Sequence, residues 1–452
     1  MIIKMSKILF IMFVFLAYIF MLFMFKNRVS NKIGIVLILI TISVNLDYKF
    51  FINSIEYVYI HLFSSVMLMI VLALIGYSML LRTKRGYLPG ANNRNRSYFY
   101  TMGFVYTFII ALIILQYNTL EIYDIDLFVH HLLIFLTTLF LLVWFYLTSK
   151  NSNNKQGNEI IFKSILVFSI VNSLLSVMQY MFNKSFLLSN PNASINYTEG
   201  VKVVKRVWGV VGASNGAGNL GTILFAVLLY YLYKNRNLIT LTAFILNFIF
   251  ILLTLTRIAY LAVGVEFLIF IFFTYFKDLN YKKLFTRIML IISCMILFCI
   301  FIYVLYDSVY EILILDRGAT QSNRFVQFDK VIEIAMAHLS LGVGAGQYIY
   351  NAYMYYGFQD IVVHSQFLNV LVEQGIFSLI AYLFVYIYMF IILIKKFKED
   401  VWFPIILFTG NFITSNFNPN QYYNVCIFIF MFLTFGLIFY ENNFNSKKKV
   451  GI

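Results

Sequence analysis

Residues 241–273 read LTAFILNFIFILLTLTRIAYLAVGVEFLIFIFF, and in them only Arg257 and Glu266 carry charge. Crossing a hydrocarbon core about 30 Å thick takes about 20 apolar residues as a helix. With its flanks the stretch is long enough for two crossings, near 238–255 and 258–276, and Arg257 falls at the tight hairpin between them. The rest of the chain repeats the pattern. Of 452 residues, 62% are hydrophobic and 12% charged, whereas a soluble domain carries about 25% charged residues. The runs do not alternate polar and apolar residues, which excludes a transmembrane barrel.

Outward from this hairpin we read about thirteen spans, near 6–25, 33–51, 57–81, 99–117, 127–148, 164–182, 216–233, 238–255, 258–276, 288–306, 376–394, 401–415 and 424–440. The run from Ser6 to Phe25 is followed by KNRVSNK rather than by a small-residue cleavage site, so it reads as a retained span. The expected fold is an all-α polytopic membrane protein, one integral membrane domain over 1–452. Most of the 34 Lys and Arg residues fall in loops after odd-numbered spans and in the C-terminal tail. Cationic loops stay in the cytoplasm. That places RTKRGYLPGANNRNR (82–96) and YKKLFTR (281–287) inside, and NTLEIYDID (118–126) outside. The net charge of +15 is then an orientation signal, and nucleic acid is not expected as a partner. Cys294, Cys299 and Cys426 sit within apolar runs without metal or disulfide spacing.

Two outer segments, about 183–215 and 307–375, are longer than turns, and such loops are usually functional. In RFVQFDKVIEIAMAH (324–338), Phe325, Phe328, Ile332, Ala335 and Met336 recur at helical spacing. This pattern predicts an amphipathic helix on the outer membrane surface.

Polar groups capable of chemistry gather on the outer side. Arg206 in KRVWGVVGASN, Arg257 in LTLTRIAY and Arg324 in QSNRF each stand beside a turn containing Gly, Asn, Ser or Thr. Guanidinium forks bind phosphate oxygens, so arginines at the interface suit a lipid pyrophosphate whose tail stays in the bilayer. His364, whose side chain ordinarily titrates near pH 6.5, suits a general base. Glu373 follows nine residues later and reads as structural, bonding to a neighbouring turn. GVGAGQY (342–348) follows no strand and lacks the lysine and serine of a phosphate loop, so it reads as a tight turn of close backbone approach. Asp124 and Asp126 form an Asp-x-Asp in an acidic loop, read as solvated, and no metal is expected. Glu266, deep in a span, is either a proton relay of a transporter or bonded to a neighbour such as Asn247.

Four blocks together resemble the O-antigen ligase/polymerase superfamily, the Wzy-type membrane glycosyltransferases, over about 206–390. RVWGVVGASNGAGNLG carries Arg206 and Asn215, and LTLTRIAYLAV carries Arg257 behind Thr256, where the family has serine. RFVQFDKVIEIAMAHLSLGVGAGQY matches with Arg324, His338, Gly342, Gly344 and Gly346, Leu339 standing where the family has proline. HSQFLNVLVEQG matches with His364, Ser365, Leu368, Glu373 and Gly375.

The resemblance implies a helical fold of the glycosyltransferase C type and metal-independent, cofactor-free, inverting transfer. The substrate would be an undecaprenyl-pyrophosphate-linked oligosaccharide at the outer face of the bacterial cytoplasmic (inner) membrane. It implies His364 as base and Arg257, Arg206 and Arg324 as holders of the pyrophosphate, with Asn215, His338, Gly344 and Glu373 in support. The expected activity is a polymerase building O-antigen or capsular polysaccharide from repeat units. A chain-length regulator and a flippase of the same pathway are further partners it implies, beside membrane lipid. A ligase transferring finished glycan shares the blocks. A lipid-linked oligosaccharide flippase would instead show charges over several spans and short outer loops.

Overall fold

Backbone polar groups inside a bilayer must be satisfied within the segment, so long apolar runs fold as helices. The computed structural model describes residues 16, 29–44, 48–52, 56–60, 62–85, 93–150, 157–187, 192–199, 202–275, 320–358, 363–420 and 423–440. Among the described residues thirteen helices occur. They are α1 (Val29–Val44), α2 (Leu62–Arg85), α3 (Asn93–Thr119), α4 (Ile125–Lys150), α5 (Gly157–Phe182), α6 (Ser214–Lys234) and α7 (Leu238–Thr254). Then come α8 (Arg257–Tyr275), α9 (Thr320–Ala337), α10 (Tyr348–Tyr356), α11 (Gln366–Lys396), α12 (Trp402–Ser415) and α13 (Asn424–Phe439). Six, namely α3, α4, α5, α6, α8 and α11, are long and apolar enough to cross a membrane, and α1, α2, α7, α12 and α13 contribute shorter apolar helices. The chain is thus a multi-pass, all-α membrane protein. The expected spans at 6–25 and 288–306 lie outside the described residues, as do Cys294 and Cys299.

The span expected at 33–51 ends early. Helix α1 stops at Val44, and β1 (Tyr48–Ile52) pairs antiparallel with β2 (Glu56–Ile60), Phe50 opposite Val58. YKFFI and EYVYI are aromatic and β-branched, which favours strands. A second hairpin, β3 (Asn196–Glu199) with β4 (Lys202–Lys205), occupies the 183–215 segment.

Helices α6 and α13 form the centre: Gly216–Tyr231 and every residue of α13 are buried, as expected for helices apolar on all sides. Helices α5, α7, α8 and α12 pack around α6, with α4 against α13 and α11 against α3. A separate small core joins α9, α10 and the start of α11 through Val331, Ile334, Val343, Tyr348, Val363 and Val372. Helix α9 forms as expected. Gln327, Val331, Ile334 and Ala335 face inward, while Ile332 and Met336 remain 47% and 64% exposed. Of the two readings of Glu266, the bond to Asn247 does not form. Asn247 donates to Gly221 O (3.1 Å), and the Glu266 carboxyl lies against Gly410 and Thr222.

Candidate functional site

The start of α8 is reached by a two-residue turn from α7, with Leu255 in the left-handed region (φ 50°), so Arg257 is the first residue of its helix. Thr256 Oγ1 donates to Ser214 O (3.0 Å), drawing the first turns of α6 and α8 together. Arg206 locks this corner at 4% exposure. Its Nε donates to Thr254 O (3.0 Å), and its Nη2 to Asn215 Oδ1 (2.9 Å) and Thr256 Oγ1 (3.3 Å). Its guanidinium also stands 5.0 Å over the Tyr197 ring of β3. Half-buried Arg257 therefore lies where two helix N-termini, each with a partial positive charge, lie side by side. Behind them, Gln179 Oε1 accepts from Trp208 N (2.9 Å) and Gly209 N (2.8 Å), and Asn172 Oδ1 accepts from Val210 N (2.9 Å).

His364 stands just before α11, which Ser365 caps by accepting from Leu368 N. One atom, Gln327 Oε1, meets both His364 N (3.1 Å) and His364 Nδ1 (2.9 Å). A backbone N–H can only donate, so this atom is the amide oxygen and Nδ1 must carry the proton that faces it. In the neutral ring the basic lone pair is then on Nε2. Gln327 is buried, on the inward face of α9, and was missed in the sequence. A glutamine among Phe, Val and Asp on an amphipathic helix gives no signal until the partner 37 positions away is known.

The turn after α12 joins the two halves. Asn416 Oδ1 accepts from Ser365 Oγ (3.0 Å), and Asn219 of α6 donates to Asn418 O (2.7 Å) and Asn420 Oδ1 (2.8 Å). His364 and the arginine corner thus share one end of the bundle.

Glu373 lies beneath. Its carbonyl accepts from Gly344 N (3.0 Å) and Gln116 Nε2 (2.8 Å), and its carboxylate is 3.6 Å from His131 Nε2 in the interior. The bond to Gly344 is made by the backbone carbonyl and not by the carboxylate, and His131 and Gln116 were not foreseen. Helix α11 breaks at Gly375 (φ 78°), where a Cβ would overlap Ser340 O, and a Cβ on Gly342 (φ 72°) would stand 2.5 Å from Glu373 C. GVGAGQY is therefore a loop of close backbone approach, with Val343 N donating to Val372 O (2.9 Å). His338 is exposed at the end of α9, its carbonyl accepting from Gly342 N (2.8 Å). Arg324 stands in the first turns of α9, and its side chain lies outside the described residues. Asp124 caps α4 by accepting from Leu127 N (2.9 Å).

No curated protein matches the chain. A family model described as O-antigen ligase matches residues 242–383, from within α7 through Arg257, α9 and the glycine loop to the first half of α11. Arg206 and Asn215 precede the match. Proteins of this family are glycosyltransferase-like enzymes whose substrates are lipid-linked polysaccharides. Residues 242–383 thus match the O-antigen ligase family model, consistent with membership of the O-antigen ligase/polymerase superfamily.

Proposed function

We propose that the protein is a polysaccharide polymerase, joining undecaprenyl-pyrophosphate-linked repeat units into O-antigen or capsule at the outer face of the cytoplasmic membrane. The observation carrying this reading is the double acceptance by Gln327, which holds His364 in the tautomer a general base requires. His364 Nε2 takes the proton of an acceptor sugar hydroxyl. The oxygen attacks the anomeric carbon of the donor from the opposite face, and the bond to pyrophosphate breaks with inversion. Arg257 and the paired starts of α6 and α8 meet the negative charge that develops on the departing pyrophosphate. Arg206 holds that corner through Asn215 and Thr256 and adds its charge from behind, with Arg324 as the third cation assigned to the pyrophosphate. No metal is needed, because the leaving group is already stabilised by fixed cations.

The reading is tested by the glycans of cells lacking the protein, complemented with wild type or His364→Ala and resolved on a gel. Single repeat units in both the deletion and the variant, with a ladder restored by wild type, are the expected result. Long chains persisting on the carrier lipid identify a ligase instead. A full ladder from His364→Ala overturns the base assignment.

A further inference from the structure

The turn between α3 and α4 and the outer flank of α10 bring together side chains that this reaction does not use. Gln347 makes the joint: its Oε1 accepts from Tyr123 N and Asp124 N (both 2.9 Å), and its Nε2 donates to Asp124 O (2.8 Å). Outside the joint lies a group of tyrosines. The Tyr123 and Tyr350 rings stack at 6.3 Å. The Tyr123 hydroxyl meets Glu121 Oε2 (2.9 Å) and the Tyr355 hydroxyl (2.6 Å), and Tyr350 donates to Asp124 Oδ2 (3.0 Å). Tyr350 is 38% and Tyr355 63% exposed, so burial does not account for them. Fastening does not either, since Gln347 and the buried Tyr348 and Ala352 already seat the helix.

An aromatic belt at lipid headgroups is the ordinary reason for exposed tyrosines in a membrane protein. Here the surrounding segment 118–126 contains Glu121, Asp124 and Asp126 and no Lys or Arg. Anionic headgroups are repelled by such a rim. Rigid tyrosine rings beside carboxylates have another fitting partner. The ring face, negative at its centre, receives the C–H face of a pyranose, and carboxylate oxygens accept from sugar hydroxyls. Tyrosine also gives contact area at low cost in side-chain entropy. Helix α10 shares its small core with Val363, the residue before His364. The tyrosines and His364 thus flank one packing unit.

We propose that Tyr123, Tyr350 and Tyr355, with Glu121 and Asp124, form a glycan-binding platform for the growing chain, and that its acidic rim favours uncharged or amino sugars over uronic acids. The platform rests on the reading of the protein as a glycan polymerase, and deepens it by naming a second subsite and its chemical preference.

The test is binding to the purified full-length protein in detergent. The probes are soluble oligomers one and three repeat units long, released from the carrier lipid of the producing cell, and oligogalacturonate as a polyanion. The three-unit oligomer is expected to bind about tenfold more tightly than the single unit, the contribution of two ring contacts. Tyr350→Ala with Tyr355→Ala removes that advantage, Tyr355→Phe keeps it, and oligogalacturonate binds more weakly than either oligomer. Equal binding of the three-unit oligomer by wild type and the double alanine variant overturns the platform. Tight binding of oligogalacturonate overturns the acidic preference. The binding is read on protein that keeps His364, so a normal glycan ladder from His364→Ala cells overturns the catalytic reading separately from the platform.

Discussion

The arginine corner and the histidine end are built by opposite means. Arg206 and Arg257 are set in the main bundle, where Gln179, Asn172 and Thr256 bond loop backbone and helix ends at buried positions. His364 rides on a small core of its own, shared by α9, α10 and the start of α11, and meets the bundle mainly through Gln116, Glu373 and the turn at Asn416. On the proposed function, the half assigned to the departing pyrophosphate is set in the main bundle, and the half assigned to the acceptor belongs to a separate packing unit.

The largest expected effect is His364→Ala, which should lower polymer yield by about 10²–10⁴-fold while membrane insertion stays normal. The readout is the glycan ladder beside quantified membrane protein. Arg257→Ala should cost a comparable 10²–10³-fold, roughly the loss of one charge-stabilising group, and Arg257→Lys should recover only part because the fork is lost. Equal activity of the lysine variant would make the corner a point charge rather than a bidentate clamp. Gln327→Leu should reduce turnover by about ten- to a hundredfold with little change in KM, whereas Gln327→Glu, still able to accept both bonds, should retain most activity. Nitrogen NMR of the histidine rings checks the cause: His364 should report a protonated Nδ1 in wild type and a mixture in Gln327→Leu. Gly375→Ala tests the connection between the two regions. Strain at φ 78° together with contact against Ser340 O should lower stability by about 2 kcal/mol or more, read as a lower melting temperature of the purified protein. The smallest effect belongs to Glu266→Gln. Neither carboxyl oxygen has a hydrogen-bond partner among the described residues, and the side chain fills space beside Gly410. A near-isosteric amide should leave the ladder unchanged. Loss of product from a well-folded Glu266→Gln would favour proton-coupled transport over glycosyl transfer.

Much of this was legible in the sequence. Helical length and hydropathy gave most of the spans, and the presence of only two residues between 255 and 258 gave the hairpin that makes Arg257 a helix start. The positive-φ glycines of GVGAGQY were readable as a place of backbone contact, though not its partner at Glu373. What could not be read has a common physical cause. Within a bilayer an apolar stripe marks the lipid side as readily as the core. On α9 the sequence marked Ile332 and Met336 as a membrane-facing stripe, but it did not mark Val331, Ile334 and Gln327 as the buried face. Gln116, Gln179, Asn172 and Gln327 each act through partners distant in sequence, and an isolated amide in an apolar helix does not announce them. The hairpin at 48–60 was hidden because aromatic, β-branched residues read equally well as the end of a span.

The break at Gly375 has a consequence for how the protein lives in lipid. From Ile376 to Lys396, α11 is about 31 Å long, close to the hydrocarbon thickness of an ordinary bilayer. The shorter segment above, which carries Ser365, belongs to the small core instead. A thinner or thicker bilayer is met by tilt of the lower segment. With a helix interruption between them, that tilt need not be transmitted to the residues above, so the geometry around the imidazole is insulated from the lipid composition of its host.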